Sequence, residues 1–426
     1  MNLLLIGSGG REHALALKLA ESSRLSKLFI SPGNPGTSSL GENVRIDLND
    51  HKSLINFCKT EKIELVVVGP EIPLVAGVAD VLRAAGIKVF GPSAGAAAIE
   101  GEKSFAKNLM RKYNIPTAAF IEFTDEQTVE ALEYLRNTVY PLVIKADGLA
   151  AGKGVVICNN YSEAETAVIE IFNSKIFGSA GRKIVIEEFM AGEEASIFAV
   201  TDGKDFICLP AAQDHKRAGD NDTGKNTGGM GAYAPAALIT DELLTEIETK
   251  IIAPVIYAMK LEGVSFCGCL YCGLMITSEG PKVVEFNCRF GDPETQVVLP
   301  LLKGDFLELL YSAAQGKLNK NAVTYNGGAA VCVILASKGY PDEYLKGYEI
   351  HGLNKIPKGT IVYHSGTLQN DKKFFTNGGR VLGITAITEN NDLKAAQKNA
   401  YEAVSLISYD NIYFRSDIAD KGINRI

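Results

Sequence analysis

The chain has no uninterrupted stretch of 18 apolar residues, no excess of basic charge and no disulfide-framework spacing among its cysteines. The first absence leaves nothing long enough for a membrane-spanning helix. The opening MNLLLIGSGG lacks a basic region and breaks into glycines too soon for a secretory leader, so a cytoplasmic location is expected. Lys plus Arg number 43 against 50 Asp plus Glu, a net charge of −7. That balance argues against a nucleic-acid or membrane surface as the main partner. The eight cysteines are scattered, which fits a reducing compartment. Cys267, Cys269 and Cys272 spell C-x-C-x-x-C, with Cys288 downstream, but they lie in the apolar run VSFCGCLYCGLMI. Alternation there puts Cys267 and Cys269 on one face and Cys272 on the other, so core packing is expected rather than a metal centre.

What is present is a soluble globular balance, 46% apolar and 22% charged over 426 residues, enough for two to four domains. Strand-like runs at 2–6, 28–30, 65–68 and 89–90 alternate with helical patterns at 12–22, 54–60 and 75–85. This alternation predicts a parallel doubly wound sheet over about the first 101 residues. The turns at 7–10, 32–36, 69–71 and 91–93 then fall beyond the carboxyl ends of the strands, where such sheets bind ligands. A helix at 102–113 leads into a smaller unit of about 117–190. Strands follow near 184–189, 195–201 and 206–211, then a polar segment at 213–232 and a helix at 241–262. Two more strands (267–277 and 282–287) and a helix near 305–315 complete a middle domain of 102–325. Residues 326–426 read as a β-rich α+β domain closing on a helix at 392–406.

Four segments carry candidate chemistry. In PLVIKADGLAAGKGVV, Lys145 ends an apolar strand and Lys153 stands between Gly152 and Gly154 in a loop of small residues. Such a loop suits a cover over phosphates gripped between two sheets, although an ordinary hairpin with a solvated lysine has the same pattern. It is not a P-loop, because a strand rather than a helix follows the glycine. In Gly7-Ser8-Gly9-Gly10-Arg11-Glu12-His13 the dinucleotide fingerprint fails, since Glu12 stands where glycine is required and no acid ends the second strand. What survives is a turn able to hold a phosphate on helix N–H groups, with Arg11 as a bidentate donor. An unliganded turn, with Arg11 paired to Glu12 or Glu71 as scaffold, is the alternative. Glu187-Glu188-Phe189-Met190, followed by Glu193 and Glu194, suits an adenosine moiety or a plain acidic turn. Glu285-Phe286-Asn287 ends a strand with two hard oxygen donors on one face, suited to Mg²⁺ on nucleotide phosphates, and Arg289 joins that face if the strand persists. The segment Gln213–Arg217 with 226–231 is rich in donors and glycines, and reads equally as a disordered surface loop.

Taken in order, GSGGREHA (7–14), GPEIPLVAG (69–77), FGPS (90–93), KADGLAAGKGV (145–155), AQDHKR (212–217), NTGGMGAYAP (226–235), EFNCRFGDPETQ (285–296) and GGRVLGITA (378–386) resemble the phosphoribosylamine–glycine ligase (glycinamide ribonucleotide synthetase) family of the ATP-grasp superfamily. The resemblance spans nearly the whole chain. It implies an ATP-grasp core with a small lid, and ligation of glycine to 5-phosphoribosylamine at the expense of ATP, with Mg²⁺ or Mn²⁺. It implies Lys103, Lys145 and the loop Gly152, Lys153, Gly154 at the ATP phosphates. Glu187 is implied at the adenine end, the backbone of Glu188, Phe189 and Met190 as hinge, and Glu194, with Glu193 as rival, at the ribose. Glu285 and Asn287 are implied as metal ligands, and Asp214, Lys216 and Arg289 as catalytic. The remaining substrates are implied to meet Gly9, Gly10, Arg11, Glu71, Asp214, Thr227, Gly228, Gly229, Met230, Arg289 and Asp292. Many relatives carry a further carboxylate ligand on the preceding strand, where this chain reads Leu270-Tyr271-Cys272-Gly273. A monomer or weak dimer acting on small molecules alone is expected.

Overall fold

The structure, a computed structural model, describes residues 1–149, 154–173 and 181–425. The predicted loop positions Gly152 and Lys153 lie outside the described residues. The first sheet is five-stranded and wholly parallel. Asn2–Gly7 is central, with Lys27–Pro32 and the short Glu42–Asn43 on one side and Ile63–Val68 and Lys88–Phe90 on the other. Its strands are apolar on both faces because helices cover both, as the uninterrupted run LLLI requires. The helical pattern predicted at 75–85 is divided. Glu71–Val75 and Val78–Ala84 are separate helices, because Gly77 turns the chain through a left-handed conformation (φ +85°) that residues with a side chain avoid.

Two four-stranded antiparallel sheets form the middle of the molecule. In the first, Phe120–Thr124 and Leu142–Ala146 flank Lys183–Glu188, with Val155–Cys158 beyond. In the second, Glu193–Thr201 and Gly268–Thr277 are central, edged by Phe206–Cys208 and Gly280–Asn287. Phe189 and Met190 lie outside both ladders, in the segment that links the two sheets. In the long strand Gly268–Thr277, Cys269 and Cys272 enter cores on opposite sides of the sheet. No group of three or more His, Cys, Asp or Glu able to hold a metal occurs among the described residues. Cys269 and Cys272 are core residues, as the alternation indicated, whereas Cys267 is only half-buried.

The polar segment 213–232 is ordered into strands, its middle forming a largely exposed hairpin of Arg217–Gly219 with Thr223–Asn226 and its ends joining a larger sheet. Gln213–Asp214 and Gly231–Ala234 pair with each other, and the latter pairs with Ala329–Ser337. They extend a six-stranded sheet completed by Arg380–Thr388, Thr360–His364 and the short Ile412–Tyr413, which pairs with the end of Ala329–Ser337. His215 and Gln213 are buried within it. This sheet therefore joins residues on either side of position 325.

Candidate active site

The site lies where the two antiparallel sheets face each other, closed by the parallel-sheet domain. Lys103 opens the helix Lys103–Lys112, whose second N–H group is capped by Asp147 (Ser104 N to Oδ1, 2.9 Å). The Lys103 ammonium donates to Gly148 O at 2.8 Å. One helical turn on, Lys107 shares that face and meets Glu187 Oε2 at 2.9 Å, while Lys145 Nζ lies 2.9 Å from Glu187 Oε1. Glu187 is 3% exposed. Its carboxylate thus lies beneath two cations and fixes where they sit. Burial pulls the Lys107 ammonium down to about 8 against the pull of Glu187. Lys107 was missed from sequence, although its spacing of four from Lys103 was the available signal. Gly154 closes the adjoining hairpin through its carbonyl, which accepts from Ala146 N at 2.8 Å.

The second sheet presents a row of polar residues toward these lysines. Cross-strand pairing sets Ser196 opposite Gly273 and Gly273 opposite Glu285, with Phe198, Tyr271 and Asn287 in the next row. Gly273 thus stands opposite Glu285 where a further carboxylate was noted as missing, and it supplies none. Successive residues of a strand face opposite sides, and Glu193 and Glu194 separate accordingly. Glu194 meets Lys216 Nζ at 2.6 Å, whereas Glu193 pairs with Arg425 near the C-terminus. Of the two rivals, only Glu194 shares the site. Lys216 also lies 3.9 Å from Glu285. Burial opposes the Lys216 charge, but Glu194, Asp214 and Glu285 outweigh it and hold the ammonium well above its ordinary value. Burial would likewise neutralise Glu285, yet Lys216, Lys145, Lys103 and Arg289 together bring its pKa below the usual value. Asp214 takes the opposite direction. Burial, reinforced by Glu294, Glu194 and Glu285, pushes its carboxyl up to about 8 despite Lys216.

Arg289 departs from the strand face expected for it. The ladder ends at Asn287 because the Cys288 N–H is taken by Glu100 Oε2 at 2.7 Å. The Arg289 guanidinium instead reaches Glu71 Oε2 (Nε, 3.1 Å) and Glu100 Oε1 (Nη2, 2.8 Å), both on helices of the parallel-sheet domain. Glu100 gave no sequence signal, being a single acid in an alanine-rich helix.

The glycine turn is occupied from within. Glu12 is 2% exposed and accepts Gly9 N at 2.6 Å and Arg11 Nε at 2.5 Å. A Cβ on Gly69 would lie 2.2 Å from the Glu12 carboxylate, so glycine is required there. Arg11 donates its other contact to Phe290 O at 3.1 Å. The scaffold geometry is therefore the one this structure presents, and the acid at position 12 fills the crevice a dinucleotide phosphate would enter.

The last group gathers beside Gly9 and Gly10. Thr227 Oγ1 donates to Lys216 O at 2.9 Å and ties the loop to the catalytic candidates. Gly229 has φ +105°, and a Cβ there would lie 2.4 Å from Pro293, so only glycine fits. Gly228 N donates to the Tyr340 hydroxyl and its carbonyl accepts from Arg380, which also holds Asp292 Oδ2 at 3.0 Å. Arg380 was not singled out from sequence, although it lies in the GGRVLGITA segment. The Met230 side chain is fully buried and supports the loop from behind. Glu188 and Phe189 are exposed between the two sheets.

Comparison with known proteins gives the arrangement its context. Residues 1–100, 101–295 and 330–421 match the family models of phosphoribosylglycinamide synthetase for its N domain, ATP-grasp (A) domain and C domain respectively. The chain is 49% identical to phosphoribosylamine–glycine ligase of Caldanaerobacter subterraneus subsp. tengcongensis, covering 98% of this chain and 99% of the relative. It is 47% identical to the Escherichia coli K12 protein of that name, over 100% and 99%. It is also 48% identical to the chicken trifunctional purine biosynthetic protein adenosine-3, of which it covers 42%. The crystal structure of phosphoribosylamine–glycine ligase from Thermotoga maritima superposes with a TM-score of 0.85 at 34% identity, covering 98% of this chain and 100% of that one. The biotin carboxylase domain of Hydrogenobacter thermophilus 2-oxoglutarate carboxylase shares the fold at 15% identity, with a TM-score of 0.73 over 100% and 98% of the two chains. The chain belongs to the phosphoribosylglycinamide synthetase family.

Proposed function

We propose that the protein joins glycine to 5-phosphoribosylamine in purine biosynthesis, converting ATP to ADP and phosphate and giving glycinamide ribonucleotide. The observation that carries this reading is the pair of lysines, Lys107 and Lys145, held on buried Glu187 in one antiparallel sheet, beside Lys216 held between Glu194 and Glu285 at the other. An amine cannot displace oxide from a free carboxylate. The glycine carboxylate therefore attacks the γ-phosphorus of ATP, the bond to ADP breaks, and glycyl phosphate forms. The sugar amine then attacks the acyl carbon and releases phosphate, with loss of a proton from nitrogen. The chain's part is positioning and charge neutralisation. Lys103 and Lys145 meet the phosphates, with Glu187 holding Lys145 in place. Glu194 exchanges its contact with Lys216 for the ribose hydroxyls, which frees Lys216 for the reacting carboxylate. Asp214, pressed by three other carboxylates, accepts the ammonium of glycine, a cation that restores its ionised form. The Gly9–Gly10 turn, Glu71, Asp292 and the loop 227–230 shape the pocket for phosphoribosylamine.

A hard divalent cation fits the strand end, because Glu285 and Asn287 present oxygen donors on one strand face and the Asn287 amide, oriented to satisfy its surroundings, donates through its nitrogen to Phe286 O and Glu100 Oε1 and turns its oxygen to the other side. Mg²⁺ or Mn²⁺ held there by Glu285 and Asn287 supplies neutralisation of phosphate charge. The labour divides among residues 1–101, the ATP-grasp domain 102–325 with its lid, and 326–426, the last two joined by the sheet to which Gln213–Asp214 and Gly231–Ala234 contribute. The protein acts in the cytoplasm on small molecules, as a monomer or weak dimer, without nucleic-acid or membrane partners. The direct test is ADP release from the purified protein. Release that requires both glycine and phosphoribosylamine is expected; release independent of either would reject the assignment.

A further inference from the structure

The amide of Asn287 has two chemically distinct ends, and what surrounds it decides which end faces the cation site. One side of the amide meets only acceptors. Oriented to satisfy them, its nitrogen donates to Phe286 O at 3.1 Å and to Glu100 Oε1 at 3.3 Å. The reverse orientation would set the amide oxygen against those same two oxygens. Glu100 is itself rigidly placed. Its side chain is 7% exposed, Oε2 accepts the Cys288 N–H at 2.7 Å, and Oε1 accepts Arg289 Nη2 at 2.8 Å. It stands near the end of the helix Ala94–Gly101, outside the sheet that carries Glu285 and Asn287.

We propose that Glu100 is a positioning residue that turns the Asn287 amide oxygen toward the divalent cation by holding its nitrogen, so that a helix of the parallel-sheet domain sets the ligand geometry of the ATP-grasp domain. This rests on Asn287 being a metal ligand. Partners behind a ligand that fix its orientation typically change metal affinity by roughly 10- to 100-fold when removed. The hydrogen bond makes a prediction a general packing role does not. Asn287→Asp places a second carboxylate against Glu100, whereas Glu100→Gln in that background offers a donor to the new carboxylate.

The test measures Mn²⁺ binding to the full chain in the presence of ADP by electron paramagnetic resonance, for four proteins: wild type, Glu100→Gln, Asn287→Asp and the double variant. Glu100→Gln is expected to weaken Mn²⁺ binding in the wild-type background by roughly 10-fold and to strengthen it in the Asn287→Asp background. Such a reversal of sign cannot arise from partial unfolding. Effects of equal sign and size in the two backgrounds would overturn the proposal, as would unaltered Mn²⁺ binding in Glu100→Gln. Asn287→Ala separates the two layers of the argument. Loss of Mn²⁺ binding there, with additive Glu100 effects, overturns only the positioning role. Unaltered binding in Asn287→Ala overturns the metal assignment and the proposal together.

Discussion

Lys145 Nζ lies 2.9 Å from Glu187 Oε1 across neighbouring strands, in a pocket where the carboxylate is almost wholly removed from solvent and shared with Lys107. Two cations on one buried anion leave a local surplus of positive charge, which suits polyphosphate and cannot be assembled without the anion. Removing one member of a buried ionic cluster strands the others, at a cost of roughly 3–5 kcal/mol. Glu187→Ala is therefore expected to lower unfolding free energy by about that amount, read from the urea midpoint, and to raise the KM for ATP. A variant with wild-type stability would show that the lysines do not depend on Glu187.

Glu285 lies 3.9 Å from Lys216 and shares a strand face with Asn287, while Val283 and Phe286 of the same strand enter the core. Replacing Glu285 or Asn287 by alanine is expected to reduce turnover by roughly 10²–10³-fold, the scale of losing one group that meets developing charge. The melting temperature should stay near that of the wild type. Near wild-type rates at limiting Mg²⁺ would remove these residues from the metal site.

Arg11 is the buried counterion of Glu12, which in turn holds the Gly9 N–H. Arg11→Ala should then destabilise the protein by roughly 3 kcal/mol or more, with little change in the KM for ATP. If stability holds while the KM for phosphoribosylamine alone rises, Arg11 contacts the sugar phosphate instead of supporting the turn.

Three histidines are buried in neutral form. Burial, aided by His364, takes His13 down to about 3; burial takes His364 to about 4; and burial, with Arg415 and Lys421, takes His215 to about 4. Unfolded histidine titrates near 6.5, so below that pH the unfolded chain binds protons the folded chain does not. Each histidine's contribution is complete above about pH 6.5 and declines as pH falls toward 3–4, by up to about 1.4 kcal/mol per pH unit. Urea midpoints between pH 7.5 and 5 should record this slope, and His364→Gln should make it shallower. An unchanged slope in that variant would count against a neutral His364.

Much of this was legible in sequence because it follows from local periods. The alternation of strand and helix gives the parallel sheet. The period of two puts Glu285 and Asn287 on one face and sends Cys269 and Cys272 into opposite cores, and the structure shows the same period parting Glu193 from Glu194. The acid at position 12, with no acid at the end of the second strand, already departs from the dinucleotide fingerprint. A helical period of four linked Lys107 to Lys103, although that link was overlooked.

Tertiary structure decided what depends on pairing between distant segments. Nothing local in NTGGMGAYAP shows that it adds a strand to a sheet built from residues 329–388, because strand addition is settled by a partner about 100 residues away. The direction of Arg289 depended on two acids, Glu71 and Glu100, some 200 positions earlier. A lone glutamate in a helix gives no sign of whether water or an arginine will surround it. Local sequence set the backbone periods and which faces are apolar. Burial of charge was settled only when separate elements closed on one another, since only then does the cost of desolvation select each ion's partner.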